Sequence, residues 1–308
     1  MKILHLLESN KNTTYPLGAP GRFVDFLCAL RDKGHDNETV MPRYPVLQAA
    51  LERERLKFVV KRRGAWQNIF RRYSVKKLLK GIQPDVILQY DNSPSRFGEG
   101  IIDNFDGPVR YLPDIYTRPV ITPRTDIKKL GREESLTPST DHIIGCFAPA
   151  ATSLKNLEIL FHALTGFPNI SLWIALDPSL SEEIQDLGRK FDLVDKMRLY
   201  DVTVSRAAFY KACNIVYVPC GGTDSEISFA EAGCFGVACI SSHHPVHLGR
   251  GLTSKYISEN LDNHYLSEMI NELISDEPAR IKAGEEQRKV FENIYKPEDC
   301  INELLAHI

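Results

Sequence analysis

Residues 213–241 read Cys-Asn-Ile-Val-Tyr-Val-Pro-Cys-Gly-Gly-Thr-Asp-Ser-Glu-Ile-Ser-Phe-Ala-Glu-Ala-Gly-Cys-Phe-Gly-Val-Ala-Cys-Ile-Ser. The apolar run Ile215, Val216, Tyr217, Val218 predicts a strand covered on both faces, as in a parallel sheet, and Pro219 ends it. Gly221 and Gly222 permit a sharp turn and leave room for a ligand close to the backbone. Asp224 or Ser225 is placed to cap the helix that follows, Gly236 to end it, and 237–240 to form the next short strand. Such a helix aims its first free amides over the strand end, where an anion such as a phosphate is favoured. Glu231 lies two turns further in. Amides for a phosphate and a carboxylate for a pair of ribose hydroxyls together suit a sugar nucleotide.

The same alternation extends through the chain. Strands are predicted at 3–7, 38–41, 56–60, 85–90 and 108–112, and again at 142–147, 171–176, 197–200, 214–218 and 237–241. After the turn Gly18-Ala19-Pro20-Gly21, a helix with Phe23, Phe26, Leu27 and Leu30 on one face ends near Gly34. Helical periods recur at 154–164, 263–275, 278–294 and 297–306. Proline, threonine and charge accumulate over 113–141, which predicts a linker. The expected fold class is therefore α/β, with two Rossmann-like βαβ domains facing across a cleft and ligands at the carboxyl ends of the strands. The predicted domains are 1–138 and 139–296, with a last helix over 297–308 crossing back to the first.

Bulk properties bound the function. The chain has 308 residues, 25% of them charged and 43% hydrophobic, which is a soluble globular composition. A net charge of −2 argues against a dedicated nucleic-acid binder, so nucleic acid is not the expected partner. No apolar run approaches the roughly 18 residues of a membrane helix. The opening Met-Lys-Ile-Leu-His-Leu-Leu-Glu is too short and too soon acidic for a signal peptide and reads as a first strand. Seven scattered cysteines without a Cys-x-x-Cys pair fit buried free thiols in a reducing cytoplasm.

Several segments, in order and spacing, resemble the retaining glycosyltransferases of family 4 (glycosyl transferases group 1), which have the GT-B fold. They are the opening Met1-Lys-Ile-Leu-His-Leu-Leu, Gly18-Ala-Pro-Gly-Arg-Phe-Val with Leu-Cys-Ala-Leu-Arg-Asp-Lys-Gly-His35, and Pro84-Asp-Val-Ile-Leu. Further on come Ile144-Gly-Cys-Phe-Ala, Lys155-Asn-Leu-Glu-Ile-Leu, Tyr200-Asp-Val and Phe209-Tyr-Lys-Ala-Cys-Asn-Ile-Val-Tyr-Val-Pro. Glu231-Ala-Gly-Cys-Phe-Gly-Val-Ala-Cys-Ile is the most specific match. The resemblance implies a hexosyltransferase-like enzyme moving a sugar from a nucleoside diphosphate sugar to a glycan or lipid-linked acceptor, as in polysaccharide biosynthesis. Configuration would be retained, and no cofactor is implied because the sugar nucleotide is a substrate.

On that resemblance Glu231 would accept hydrogen bonds from the ribose; the plain alternative is a solvated helix face. Lys155 would neutralise the leaving diphosphate, or be a surface lysine in a first helical turn, where a cation is mildly unfavourable. Gly18 and Gly21 would bring the first loop to the same phosphates, or simply form a strand–helix turn. Gly222, Thr223, Asp224, Ser225 and Glu226 would line the donor, with helix capping as the competing account. Tyr200 and Val202 would place backbone groups beside the base. Asp114, where the family has an acceptor-side histidine, would stabilise an oxocarbenium-like transition state or orient a hydroxyl; it reads equally as a turn residue after Pro113. Two departures stand out: Thr223 occupies the position of the family's first glutamate, and 148–151 is Ala-Pro-Ala-Ala, without the family's arginine. They support the alternative of a non-catalytic sugar-nucleotide or glycan-binding protein on the same scaffold.

Residues 57–81 hold nine Lys or Arg and no acid, with Trp66, Ile69, Phe70 and Tyr73 at helical spacing. That profile fits a helix on an anionic membrane surface, with Arg62, Arg63, Trp66, Phe70, Arg71 and Arg72 facing it. The protein would then be cytoplasmic and peripheral on the inner face of the membrane. The other reading is an amphipathic core helix with a solvated basic face. His243, His244 and His247 lack a neighbouring acid or cysteine cluster, and Asp-x-Asp is absent, so metal-independent chemistry is expected.

Overall fold

The computed structural model describes residues 1–7, 20–60, 71–89, 101–111, 137–138, 141–148, 153–201, 204, 206–219, 223–241, 255–258, 261–294, 302 and 306. For 20–22, 71–74, 111, 207, 223–227 and 292–294 it describes the backbone course alone. The chain divides into two compact units, Met1–Thr122 with Pro297–Ile308, and Pro123–Lys296.

The first unit contains β1 (Lys2–Leu6), α1 (Pro20–Asp32), β2 (Asp36–Met41), α2 (Pro45–Arg53), β3 (Lys57–Val60), α3 (Arg71–Ile82), β4 (Val86–Gln89) and β5 (Val109–Tyr111). The strands pair in parallel in the order β3-β2-β1-β4-β5. Alternate residues of β1 serve opposite layers. Ile3 packs with Phe23, Leu27 and Leu51 under α1 and α2. Leu4 and Leu6 pack with Val75 and Leu79 of α3. At the end of α1, Lys33 Nζ donates to Asn302 Oδ1 (2.9 Å) in the C-terminal segment of the same unit. The rest of the expected helix over 297–308 lies outside the described residues, apart from position 306.

The second unit contains β6 (His142–Ala148), α4 (Leu154–Leu164), β7 (Ile170–Leu176), α5 (Ser181–Lys190), β8 (Met197–Asp201), α6 (Arg206–Ala212), β9 (Ile215–Val218), α7 (Thr223–Cys234), β10 (Ala238–Ser241), α8 (Asn263–Ser275) and α9 (Glu277–Ile294). Its sheet is also parallel, in the order β10-β9-β6-β7-β8. Counted along each unit, the two orders are identical: first strand central, second and third to one side, fourth and fifth to the other. The chain reverses its winding between β1 and β4, and again between β6 and β9. The carboxyl ends of such a strand pair are where an open α/β sheet offers a ligand crevice.

Helices cover both faces of the second sheet, so β7 is buried at every residue and its sequence is apolar except at Ser171, whose hydroxyl donates to Lys196 O. On one face Ile144, Cys146 and Ala148 meet α4, α5 and α8. On the other, Ile143 and Phe147 meet α6, α7 and α9. Helix α7 ends at Gly236, whose φ of +69° is the left-handed conformation that glycine adopts without penalty. The Gly236 amide bonds to Gly233 O (2.8 Å) and the Val237 amide to Ala232 O (3.2 Å), a Schellman closure. Helix α9 crosses this turn so closely that a Cβ on Gly284 would sit 2.0 Å from Gly236 O. The same helix closes the outer margin of β10: Cys239 N donates to Gln287 Oε1 and Gln287 Nε2 donates to Cys239 O, both at 3.0 Å. Beyond it, Ser241 N bonds to Tyr256 O and Ser258 N to Ser241 O.

All ten predicted strands are present, within two residues of their expected ends. The five described cysteines are free thiols, and Cys28, Cys146, Cys213 and Cys239 are buried. No described helix is long and apolar enough to cross a membrane.

Candidate functional site

Helices α4 and α7 follow the two strands, β6 and β9, that flank the switch point of the second sheet, and both begin at its carboxyl edge. Tyr217 Oη donates to Asn156 O (3.3 Å), tying β9 to the first turn of α4. Lys155 stands exposed in that turn. Helix α4 has no acid in its first turn, and Ser153 precedes it without a capping side-chain bond.

Glu231 lies on α7 and is 1% exposed, which overturns a solvated helix face. Its Oε2 accepts from Arg206 Nη1 (3.0 Å) and from Tyr210 Oη (2.9 Å). Both donors come from α6, four residues apart and therefore on one face of the helix. The Arg206 guanidinium, 4% exposed as a residue, lies over the Phe147 ring with its central carbon 4.1 Å from the centroid. Phe147 is near the end of β6, so the ion pair sits beside the switch point. The Tyr210 hydroxyl also reaches Ser228 O, at 3.3 Å, a longer contact than the one to the carboxylate.

An aromatic wall continues from this pair. Phe147 packs on Phe209 (4.6 Å between centroids) and Tyr210 (5.3 Å). Phe209 meets Tyr200 (6.0 Å), which meets Trp173 (5.1 Å). The structure thus brings half-buried Tyr200, near the end of β8, into the same aromatic cluster as Tyr210 and Phe147, which contact Glu231 and its partner Arg206. Sequence reading missed Arg206 and Tyr210. Their spacing on a short helix, charged and phenolic groups among Ala and Phe, was the available signal.

Other predicted positions fall differently. Gly21 lies in the first turn of α1 and not in a loop, because Pro20 takes the first helical position, where a missing amide hydrogen costs nothing. Helix α7 begins at Thr223, so Asp224, Ser225 and Glu226 belong to its first turn and neither Asp224 nor Ser225 is the cap. Their side chains are outside the described residues, as are Gly18, Asp114, Val202, Gly222, Arg62, Arg63, Trp66, Phe70 and the three histidines at 243, 244 and 247. Of Arg71 and Arg72 only the backbone, in α3, is described. Over 75–82, Val75, Leu79 and Ile82 are buried and Lys76, Lys77 and Lys80 are exposed, as in a core helix with a solvated basic face. Among the described residues no group of three or more His, Cys, Asp or Glu is placed to hold a metal ion.

No protein-family model matches the chain. No curated protein matches it in sequence. Solved structures do match in fold, over nearly the whole length. A glycosyltransferase from Rickettsia africae superposes with a TM-score of 0.64 at 12% identity, covering 99% of this chain and 97% of its own. Anabaena HepE in complex with UDP and glucose gives 0.60 at 15% identity, with both chains covered in full. UDP-GlcNAc 2-epimerase from Neisseria meningitidis, bound to UDP-GlcNAc, gives 0.57 at 13% identity, again with both chains covered in full. The fold is α/β GT-B, built from two Rossmann-like units. It is shared by transferases and epimerases, so the reaction has to be argued from the site.

Proposed function

We propose that the protein is a glycosyltransferase that uses a nucleoside diphosphate sugar as donor and belongs with the retaining, family 4-like enzymes. The observation that carries this reading is Glu231: a buried carboxylate, held by two donors, beside the switch point of the second GT-B unit. The resemblance assigns that position to the ribose, and HepE, with the same fold, binds UDP and glucose. The first turn of α7 would receive the diphosphate on its amides, and Lys155, exposed in the first turn of α4, would offset the charge growing on it. Tyr200 and Val202 would flank the base, and 222–226 the sugar.

Retention would follow from attack on the same face as the leaving group, with the departing phosphate taking the acceptor proton and Asp114 orienting or stabilising the sugar. No metal is required in this scheme. The acceptor would be a glycan or a lipid-linked glycan, reached at the inner face of a membrane through the basic segment of the first unit.

A second reading, a sugar-nucleotide or glycan binder without turnover, is favoured by Thr223 at the first-glutamate position and Ala-Pro-Ala-Ala at 148–151. One series of measurements separates the two. Thermal shifts with UDP, GDP, ADP and their sugars identify the donor, and the stabilisation should fall sharply in Glu231→Gln. Incubation with the sugar nucleotide identified should then release free nucleoside diphosphate through slow hydrolysis. Stabilisation without release leaves the binder, and a donor returned as its epimer leaves an epimerase.

A further inference from the structure

We propose that Arg206 and Tyr210 are positioning residues that fix the Glu231 carboxylate before a nucleotide arrives; this rests on the reading that Glu231 holds the ribose. Both place a donor on the same oxygen, Oε2, at 3.0 and 2.9 Å. A carboxylate anchored through one oxygen by two donors cannot rotate, and its acceptor lone pairs keep one direction. The donors are themselves fixed. Arg206 is stacked on Phe147, and Tyr210 is fully buried against Phe147, Phe209 and Phe235. Stability alone is a weak reason for such a group, since apolar residues of similar volume often do as well as a buried ion pair. Pre-orientation gives one: a hydroxyl pair meeting a carboxylate already aimed loses less freedom on binding.

The test uses ligand chemistry that a purely structural role would not register. Calorimetric titration of the full chain with UDP, GDP, ADP and CDP selects the tightest nucleotide, and its 2′-deoxy form is then titrated alongside. In the wild type the deoxy form should bind roughly ten- to hundredfold more weakly, the loss of one hydrogen bond to a charged group. Glu231→Gln should erase most of that gap. Tyr210→Phe, which keeps the ring and removes only the hydroxyl, should narrow the gap about three- to tenfold, weakening the ribose form more than the deoxy form, which meets the carboxylate through its 3′ hydroxyl alone. Arg206→Lys, which keeps the charge but loses the stacked fork, should narrow it likewise and carries the comparison if Tyr210→Phe does not fold.

A folded Tyr210→Phe that retains the wild-type gap, or weakens both nucleotides alike, overturns the positioning role while Glu231→Gln still supports the ribose site. A wild type that binds none of the four, or shows no gap, overturns the ribose reading and this inference with it.

Discussion

His5 is a titratable group in a place that cannot accept its charge. It lies on β1, fully buried, with Phe23 and Phe26 edge-on at 6.0 Å. Its Nε2 is 3.0 Å from Asn37 Oδ1, an acceptor, so the proton of the neutral ring is on Nε2. The Asn37 amide nitrogen in turn donates to Leu27 O and His35 O. Burial pushes the His5 pKa down to about 4, against a smaller upward pull from the Asn37 bond. The unfolded chain therefore binds a proton that the folded one refuses between its ordinary value of 6.5 and about 4. Stability from this group is complete above that window and is lost as pH falls through it, by at most about 3 kcal/mol. Urea midpoints measured from pH 7 to 4.5 should fall in the wild type and fall less in His5→Gln; parallel curves would mean another group controls the acid limb. Little of this was legible in the sequence. A histidine inside Ile-Leu-His-Leu-Leu reads as part of a strand, and its partner is 32 residues away. Glu231 stands out in the sequence through its glycine-flanked setting. Its partners were not, because Arg206 is 25 residues upstream on a helix of seven.

Among the elements, the contact of α9 on the turn after α7 sets two effects against each other. Alanine in place of glycine inside a helix favours the helix by about 1 kcal/mol. At Gly284 the added Cβ would meet backbone, Gly236 O at 2.0 Å and Ala238 N at 3.3 Å, so no side chain can swing aside. Overpacking of this kind costs about 1–3 kcal/mol or more and should win. Gly284→Ala is therefore expected to lower the thermal midpoint by several degrees, whereas an increase would place α9 further from the turn than described. Nothing in Lys-Ala-Gly-Glu-Glu announces this constraint, because it arises only when two elements meet. The strands, by contrast, were legible throughout. A strand buried on both faces is dominated by apolar residues, and β6, β7, β9 and β10 are, with Ser171 and Ser241 as buried polar exceptions. Helices α2, α5 and α6 were not singled out. They have nine, ten and seven residues, and so few turns barely establish a period. Helix α5 did carry a sign, Glu182 and Glu183 at its start with Arg189 and Lys190 at its end, which complements the helix dipole.

At the scale of the whole molecule, one winding plan is used twice, and each use sets a switch point beside its central strand, where open α/β sheets bind ligands. That repetition was legible as alternating periods; the strand order was not, since pairing is a property of the folded chain. Charge is distributed unevenly on this frame: net −2 overall, yet nine Lys or Arg and no acid over 57–81. If that segment meets a membrane, flotation with anionic vesicles should carry the protein upward at low salt and release it as ionic strength rises. Equal flotation of wild type and a variant neutralising Arg62, Arg63, Arg71 and Arg72 would remove the membrane role and leave a solvated basic face. The second sheet also has to stop somewhere, and on the β10 side it stops at a side chain. Gln287 supplies to Cys239 the donor and acceptor that another strand would bring, and Ser241 bridges to Ile257, so this margin is already paired. Replacing Gln287 with an apolar residue would strand the buried amide and carbonyl of Cys239 without those partners, and the second unit should melt at a lower temperature.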